Sequence, residues 1–330
     1  MRAVTTAGER VVVDCAVPRF EALLAAATAG ELSQAASPDG TVDGTVHLDI
    51  QASRRPFGRA RWALISRGVW AAPPRVLLAD ACSSGFDLLV EPAGSVLHVT
   101  ARYRPGPRAR AANTLLAGRF RLLAAQTLLH YPALWWASLH GRVPLHVSVL
   151  AGPGGVTMLA GPSGVGKSTL LAAGLRRGET ATADNVCACD SHSAFGLVEP
   201  LRLDGAGGTG PAAPHGRREY PFSGRQSRLD PDRVVVLRRG LSADHAPAVR
   251  QLLPGDAARE LVTGTYMAGE LRRFWPFAAT LALATGLGPA HPDVTGVANA
   301  LADRLPCLEI RLSSRPSVPV GELLEEARSA

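Results

Sequence analysis

The sequence predicts an α/β fold: a P-loop type nucleotide-binding core preceded by a smaller, strand-rich α+β domain. Three observations carry that expectation. Gly161-Pro-Ser-Gly-Val-Gly-Lys-Ser168 matches the G-x-x-x-x-G-K-[ST] loop, and the apolar runs on either side place it between a strand and a helix. Apolar residues make up 46% of the 330 and charged residues only 19%, the balance of a chain that buries a core rather than staying disordered. Short alternating apolar segments crowd the region before residue 105, whereas longer helical patterns dominate after it. The expected domains are therefore 1–110 and 111–330, the core of the second lying at 140–312.

In chain order, strands are expected at Val11–Cys15, Thr45–Ile50, Trp62–Ile65 and Ser95–Ala101, with Gly, Pro and Asp turns between them and one helix near Phe20–Ala35. Arg104-Pro-Gly-Pro-Arg-Ala-Arg110 reads as a connector. A long apolar helix over Ala111–His130 should end near Pro132, because proline removes a backbone donor and clashes with the preceding turn. Gln126 and His130 interrupt the most hydrophobic stretch, so it reads as a buried helix rather than a membrane span.

The core is expected to contain a strand at Val143–Leu150, a Pro153–Gly155 turn and a strand at Val156–Ala160 that feeds the glycine loop. A helix over Lys167–Arg177, stopped by Gly178, and a strand at Thr180–Val186 complete it. Gly205–Asp230, rich in Gly, Pro and Arg, reads as a mobile loop. Beyond it come a buried strand at Arg233–Leu237, helices within Gly255–Ala284 and at Val294–Arg304, an edge strand at Leu308–Leu312 and a terminal helix at Gly321–Arg328.

Lys167 is the single lysine; every other member of the 35 Lys and Arg residues is arginine. In such a loop successive N–H groups cradle phosphate oxygens and a compact ammonium reaches the terminal phosphates, a task that arginine's planar fork does not reproduce. The expected ligand is a nucleoside triphosphate, ATP, held by Gly161, Pro162, Ser163, Gly164, Val165, Gly166, Lys167, Ser168 and Thr169. The Ser168 hydroxyl is a candidate Mg²⁺ ligand. Asp184-Asn185 follows only 17 residues after Lys167, on the next expected strand. If that strand lies beside the loop strand, Asp184 is placed to accept a hydroxyl proton or to join Asn185 and Ser168 around the metal.

Taken with Pro144-Leu-His146-Val-Ser148 before the loop and Gly178-Glu-Thr-Ala-Thr-Ala-Asp184-Asn185 after it, these residues resemble the catalytic domain of the HPr kinase/phosphorylase family. The resemblance spans about residues 140–312. It implies a fold related to phosphoenolpyruvate carboxykinase and ATP- and Mg²⁺-dependent phosphorylation of a hydroxyl. It makes Asp184, His146 and Lys167 the catalytic residues, with His140 a rival for the histidine. It also implies self-association. Asn185 stands where the family has a second aspartate, which bears on a reverse, phosphorolytic reaction more than on the kinase reaction. Glu199-Pro-Leu-Arg202 occupies the neighbourhood of the family's glycine-rich signature, with Arg202 a candidate for transition-state charge. Relatives of this arrangement resemble kinases of peptide natural-product pathways, so the implied acceptor is Ser of a peptide or protein. A small-molecule or free amino acid kinase is the alternative. A nucleotide-dependent regulatory module that transfers nothing is the third reading, kept open by Asn185.

The formal charge of +7 comes with no lysine-and-aromatic stripe or RNA-binding signature, so it reads as a solvated arginine-rich surface and no nucleic-acid partner is expected. Arg217, Arg218, Arg225 and Arg228, with Arg272-Arg273 beside Glu270, are candidates for an acidic peptide. The five cysteines show neither a disulfide framework nor metal spacing, and the first residues have no apolar signal-peptide core. No membrane partner is expected, and a reducing cytoplasm fits.

Overall fold

The computed structural model describes residues 1–34, 43–204, 210–213, 216–240 and 248–312. The expected terminal helix at Gly321–Arg328 lies outside them. The chain divides into two compact units. The first comprises Met1–Gly141, Pro211–Arg217 and Arg273–Pro292; the second comprises Arg142–Gly210, Arg218–Arg272 and Asp293–Ala330. The helices between residues 107 and 139 belong to the first unit, with the N-terminal strands.

The first unit is built on a nine-stranded sheet. Arg2–Thr6 and Glu9–Cys15 form a hairpin whose turn, Ala7-Gly8, takes positive φ at both positions, the twist that suits a tight hairpin. Glu9–Cys15 then pairs in parallel with Thr45–Gln51, a pairing that needs a crossover, and the helix Pro18–Ala27 lies in that connection. Thr45–Gln51 alternates as the sequence suggests, with Val46, Leu48 and Ile50 buried.

The expected helix over Ala111–His130 is in fact several elements. Pro107–Leu115 and Ala117–Ala125 are separated at Leu116, and a π turn at Gln126–His130 leads directly into Tyr131–Leu139. Pro132 therefore does not end the helix. It lies just after the π turn, and there the Tyr131 N–H reaches back five residues to Gln126.

The second unit holds a six-stranded sheet with the strands in the order Thr180–Ala181, Ser148–Gly152, Gly155–Ala160, Arg233–Arg239, Cys307–Leu312, Ala248–Gln251. Gly155–Ala160, Arg233–Arg239 and Cys307–Leu312 are parallel neighbours, as their β-branched, doubly buried runs require. Cys307–Leu312 is not the expected edge strand, because Ala248–Gln251 pairs antiparallel along its free side. One core cluster gathers Leu159, Val165, Leu170, Val235, Leu237 and Ile310; another gathers Leu150, Leu171, Ala181 and Phe222. The adjacent leucines of the Lys167–Arg176 helix thus anchor two separate clusters.

Two expected strands are each broken. Val143–Leu145 belongs to a four-stranded sheet, paired with Cys187–Cys189, whereas Ser148–Gly152 belongs to the six-stranded one. The run Thr180–Val186 is strand only at Thr180–Ala181, and pairing resumes at Cys187–Cys189. Both breaks have one cause: the chain leaves one sheet for the other, at His146-Val147 and again at Thr182–Val186. Cys187 and Cys189 are buried, and all five cysteines are free. The described part of Gly205–Asp230 is more regular than its composition suggests. Arg217–Tyr220 pairs with Leu201–Asp204, and Arg228–Leu229 closes the edge of the four-stranded sheet. Among the described residues no helix is long and apolar enough to cross a membrane.

Candidate functional site

Gly155–Ala160 delivers the chain to Gly161 at the carboxyl end of a parallel strand, and the next helix starts at Lys167. Gly161, Gly164 and Gly166 all have positive φ, at 139°, 78° and 122°. At Gly161 sterics add a second demand, since a Cβ would sit 2.7 Å from the Leu237 carbonyl oxygen. Val165 is the buried anchor between these glycines, and Arg239 braces the loop from outside by donating to the Gly164 carbonyl at 2.8 Å. Pro162, Ser163, Gly164 and Thr169 are exposed, and Ser168 is half-buried.

Lys167 is 4% exposed, and its ammonium donates to the Gly161 carbonyl at 2.7 Å. The loop thus offers backbone turned by left-handed glycines, the first N–H groups of a helix and one inward-held cation. Those residues fit a polyphosphate. Among the described residues no three His, Cys, Asp or Glu side chains cluster as metal ligands. The oxygens of Ser168, Asp184 and Asn185 suit Mg²⁺, which takes one or two protein oxygens and completes its shell with phosphates and water.

His146 sits where the chain changes sheets. Its backbone N–H donates to Thr265 Oγ1 at 3.0 Å, while its ring, 3% exposed, is bonded to the Gly264 backbone. Its Nδ1 has no hydrogen-bond partner among the described residues. Burial, and then the Lys167 charge, push its pKa down to about 4, against the smaller pull of Glu270. The ring is therefore neutral at pH 7. With the other nitrogen donating to Gly264, Nδ1 presents a lone pair. His140 is used differently, as its Nδ1 pairs with Glu9 at 2.9 Å and its ring meets the edge of Trp136.

Asp184 is fully buried. It lies in the loop between Thr180–Ala181 and Cys187–Cys189, not on a strand beside the glycine-loop strand. Thr180–Ala181 pairs instead with Ser148–Gly152. Backbone and side chains hold the carboxylate: Asn185 Nδ2 donates to Oδ2 at 3.1 Å and the Arg202 N–H donates to the same oxygen at 3.2 Å. The Ser148 hydroxyl donates to the Asp184 carbonyl. Asn185 thus serves as a donor to Asp184 here.

Arg202 and Glu199 form a buried ion pair next to this carboxylate. Burial, with Asp184 and Glu270 nearby, raises the Glu199 pKa to about 7 against the opposing Arg202 charge. Burial works to lower the Arg202 pKa, but Glu199, Asp184 and Glu270 together outweigh it and raise it. Glu270 acts electrostatically on His146, on Glu199 and on Arg202. It therefore links the Lys167–His146 side of the cluster to the Asp184–Arg202 side. Glu270 and Thr265 carry no motif spacing in the sequence, and Ser148 enters the site through the bond from its hydroxyl to the Asp184 carbonyl.

The arginines proposed for an acidic peptide are largely engaged locally. Arg218 donates to the Gly210 carbonyl at 2.8 Å, Arg225 to the Gly196 carbonyl at 3.2 Å, and Arg228 pairs with Asp230 at 3.0 Å.

No family model matches the chain, and no curated protein matches it. Among solved structures, the chain is similar to the Hpr(Ser) kinase/phosphatase from Coxiella burnetii, over 56% of this chain and 96% of that one, at 13% identity and a TM-score of 0.29. At that score the likeness fixes neither family nor function.

Proposed function

We propose that the second unit is an ATP- and Mg²⁺-dependent phosphotransferase acting on a hydroxyl, with Ser of a peptide or protein as the acceptor. The observation that carries this reading is the inward-held Lys167 of the glycine loop together with the buried His146 and the buried, hydrogen-bonded group of Asp184, Arg202 and Glu199, on which the partly buried Glu270 acts electrostatically. A nucleotide-binding loop alone needs no such cluster; phosphoryl transfer needs a proton acceptor and fixed charge near the phosphates.

In this reading the glycine loop and Lys167 hold the triphosphate. Bound Mg²⁺, held by Ser168 with Asp184 or Asn185, supplies neutralisation of phosphate charge. The acceptor oxygen forms a bond to the γ-phosphorus as the bond to the ADP oxygen breaks, and the hydroxyl proton passes to Asp184. His146, neutral through Nδ1, accepts a hydrogen bond and orients the acceptor rather than carrying charge. Arg202, locked to Glu199, keeps Asp184 in place through its backbone N–H and adds fixed positive charge. The residue resemblance points to a natural-product precursor peptide as one such acceptor.

The test is incubation with ATP, Mg²⁺ and pools of Ser-containing peptides and of small hydroxyl metabolites, read by mass spectrometry. The expected result is a gain of about 80 Da, one phosphoryl group, on a peptide. A gain confined to metabolites supports a small-molecule kinase. Tight nucleotide binding with no gain in either pool supports the regulatory module that Asn185, a neutral residue in place of a second carboxylate, would suit.

A further inference from the structure

The first unit contains a cavity of about 240 Å³ at the mouth between the Pro18–Ala27 helix, the end of the Val96–Tyr103 strand and the helices that follow it. Its walls combine three arginines, Arg19, Arg54 and Arg110, with three aromatic rings, Phe20, Tyr103 and Phe120. The rings form one packed group. Phe20 meets Tyr103 edge-on at 5.0 Å between centroids, and Tyr103 meets Phe120 at 5.6 Å. They are held from behind by the buried Phe86, 5.1 Å from Phe20.

The arginines are what make this more than a crevice. All three are exposed at the rim of the cavity, whereas two other arginines of this unit have acceptors of their own: Arg104 pairs with Asp87, and Arg102 donates to Gln51. Arg19, Arg54 and Arg110 have no carboxylate partner and no side-chain hydrogen bond among the described residues. Arg19 is fixed by its guanidinium lying over Phe20, at 4.6 Å, and over Tyr103, at 5.3 Å, so aromatic faces rather than an anion orient it. Asn113, also in the wall, donates to the Tyr103 hydroxyl at 3.1 Å and so fixes that group at the rim. Three like charges line one cavity, so an anion seated there meets cations with no carboxylate of their own while the rings accept an apolar group beside it.

We infer that this cavity is a binding site for a peptide segment in which a carboxylate stands next to an apolar side chain. Size selects the peptide. The cavity is smaller than the roughly 300–1,000 Å³ of sites that enclose a drug-sized ligand, so it takes one or two side chains of something whose remainder lies on the surface. Charge selects the acid, and the Phe20, Leu23 and Phe120 wall selects the apolar neighbour. The inference goes beyond phosphotransfer by the second unit and does not depend on it, because binding is read without nucleotide.

The probe is a fluorescein-labelled peptide of sequence Glu-Phe-Asp-Leu-Glu, titrated with the full chain and followed by anisotropy, beside its Gln-Phe-Asn-Leu-Gln counterpart. Saturable binding of the acidic peptide, weakened about tenfold or more in the neutral counterpart and in each of Arg54→Glu and Arg110→Glu, is expected, as charged hydrogen bonds of this kind imply. Circular dichroism and a thermal melt on the variants check that they fold; both positions are exposed, and the Arg54 carbonyl that accepts from Arg104 is backbone, which the substitution keeps. If a variant fails to fold, competition on the unmodified chain decides. Inorganic phosphate or free glutamate displacing the peptide at equal molar concentration would overturn the peptide assignment in favour of a small anion. Equal binding of the acidic and neutral peptides, or none of either, would overturn the site.

Discussion

The Arg202 backbone N–H donates to Asp184 Oδ2 at 3.2 Å, while its guanidinium is bound to Glu199 three residues earlier. One residue thus holds the buried carboxylate with its main chain and sets the charge around it with its side chain. Asp184 needs this support because it sits in a loop between two sheets, where no strand ladder fixes it. The consequence is that the position of Asp184 depends on backbone geometry as much as on residue type.

Gly161 is the sharpest test of the loop. Its φ of 139° and its approach to the Leu237 carbonyl leave no room for a Cβ. Gly161→Ala is expected to lower stability by about 1–3 kcal/mol and to weaken triphosphate binding with it. Urea unfolding and nucleotide titration measure the two effects; an alanine variant with unchanged stability would show that the close approach is relieved at no cost.

Leu170 tests the packing that seats the loop. It is completely buried between Leu159, Val165, Leu237 and Ile310. Leu170→Ala is expected to cost about 2–5 kcal/mol, the range for a buried leucine whose cavity does not collapse. Denaturant midpoints at unchanged slope are the readout.

Glu309 tests the electrostatics on the far side of the six-stranded sheet. It accepts from Arg250 and Arg238 at 2.9 Å and from Arg311 at 3.0 Å. The Arg250 hydrogen bonds, with Arg311 and Arg238, outweigh burial and hold its carboxyl down at about 2, below the ordinary 4.5. A carboxyl whose folded pKa lies below its unfolded value stabilises the fold above the unfolded value. That contribution is lost as pH falls from about 4.5 to about 2. Unfolding free energies measured across this window should decline more steeply in the natural chain than in Glu309→Gln. Parallel declines would remove the role assigned to this cluster.

The loop from Gly161 to Ser168 and its helix are legible in the sequence because each constraint there is local: left-handed glycines, a helix start at Lys167 and a stop at Gly178, whose φ is 84°. The paired breaks at His146 and Asp184 are not. Val143–Leu150 reads as one apolar run, and only the presence of two sheets shows where it divides. The outer strand Ala248–Gln251 hides for the opposite reason, since its alternation is weak and its pairing partner is about 60 residues away in sequence. Asp184 and His146 can be picked out from their positions around the loop. Glu270 joins them only through the fold, because a residue remote in sequence carries no spacing signal.

The central claim is that Asp184 takes the acceptor's proton in a site whose nucleotide is held independently by the Gly161–Ser168 loop. The most direct measurement is single-turnover phosphoryl transfer by Asp184→Asn, with ATP affinity measured on the same preparation. The expected result is a loss of transfer of about 10²–10⁴-fold at nearly unchanged nucleotide affinity. Transfer at the natural rate, with the nucleotide still bound, would contradict it.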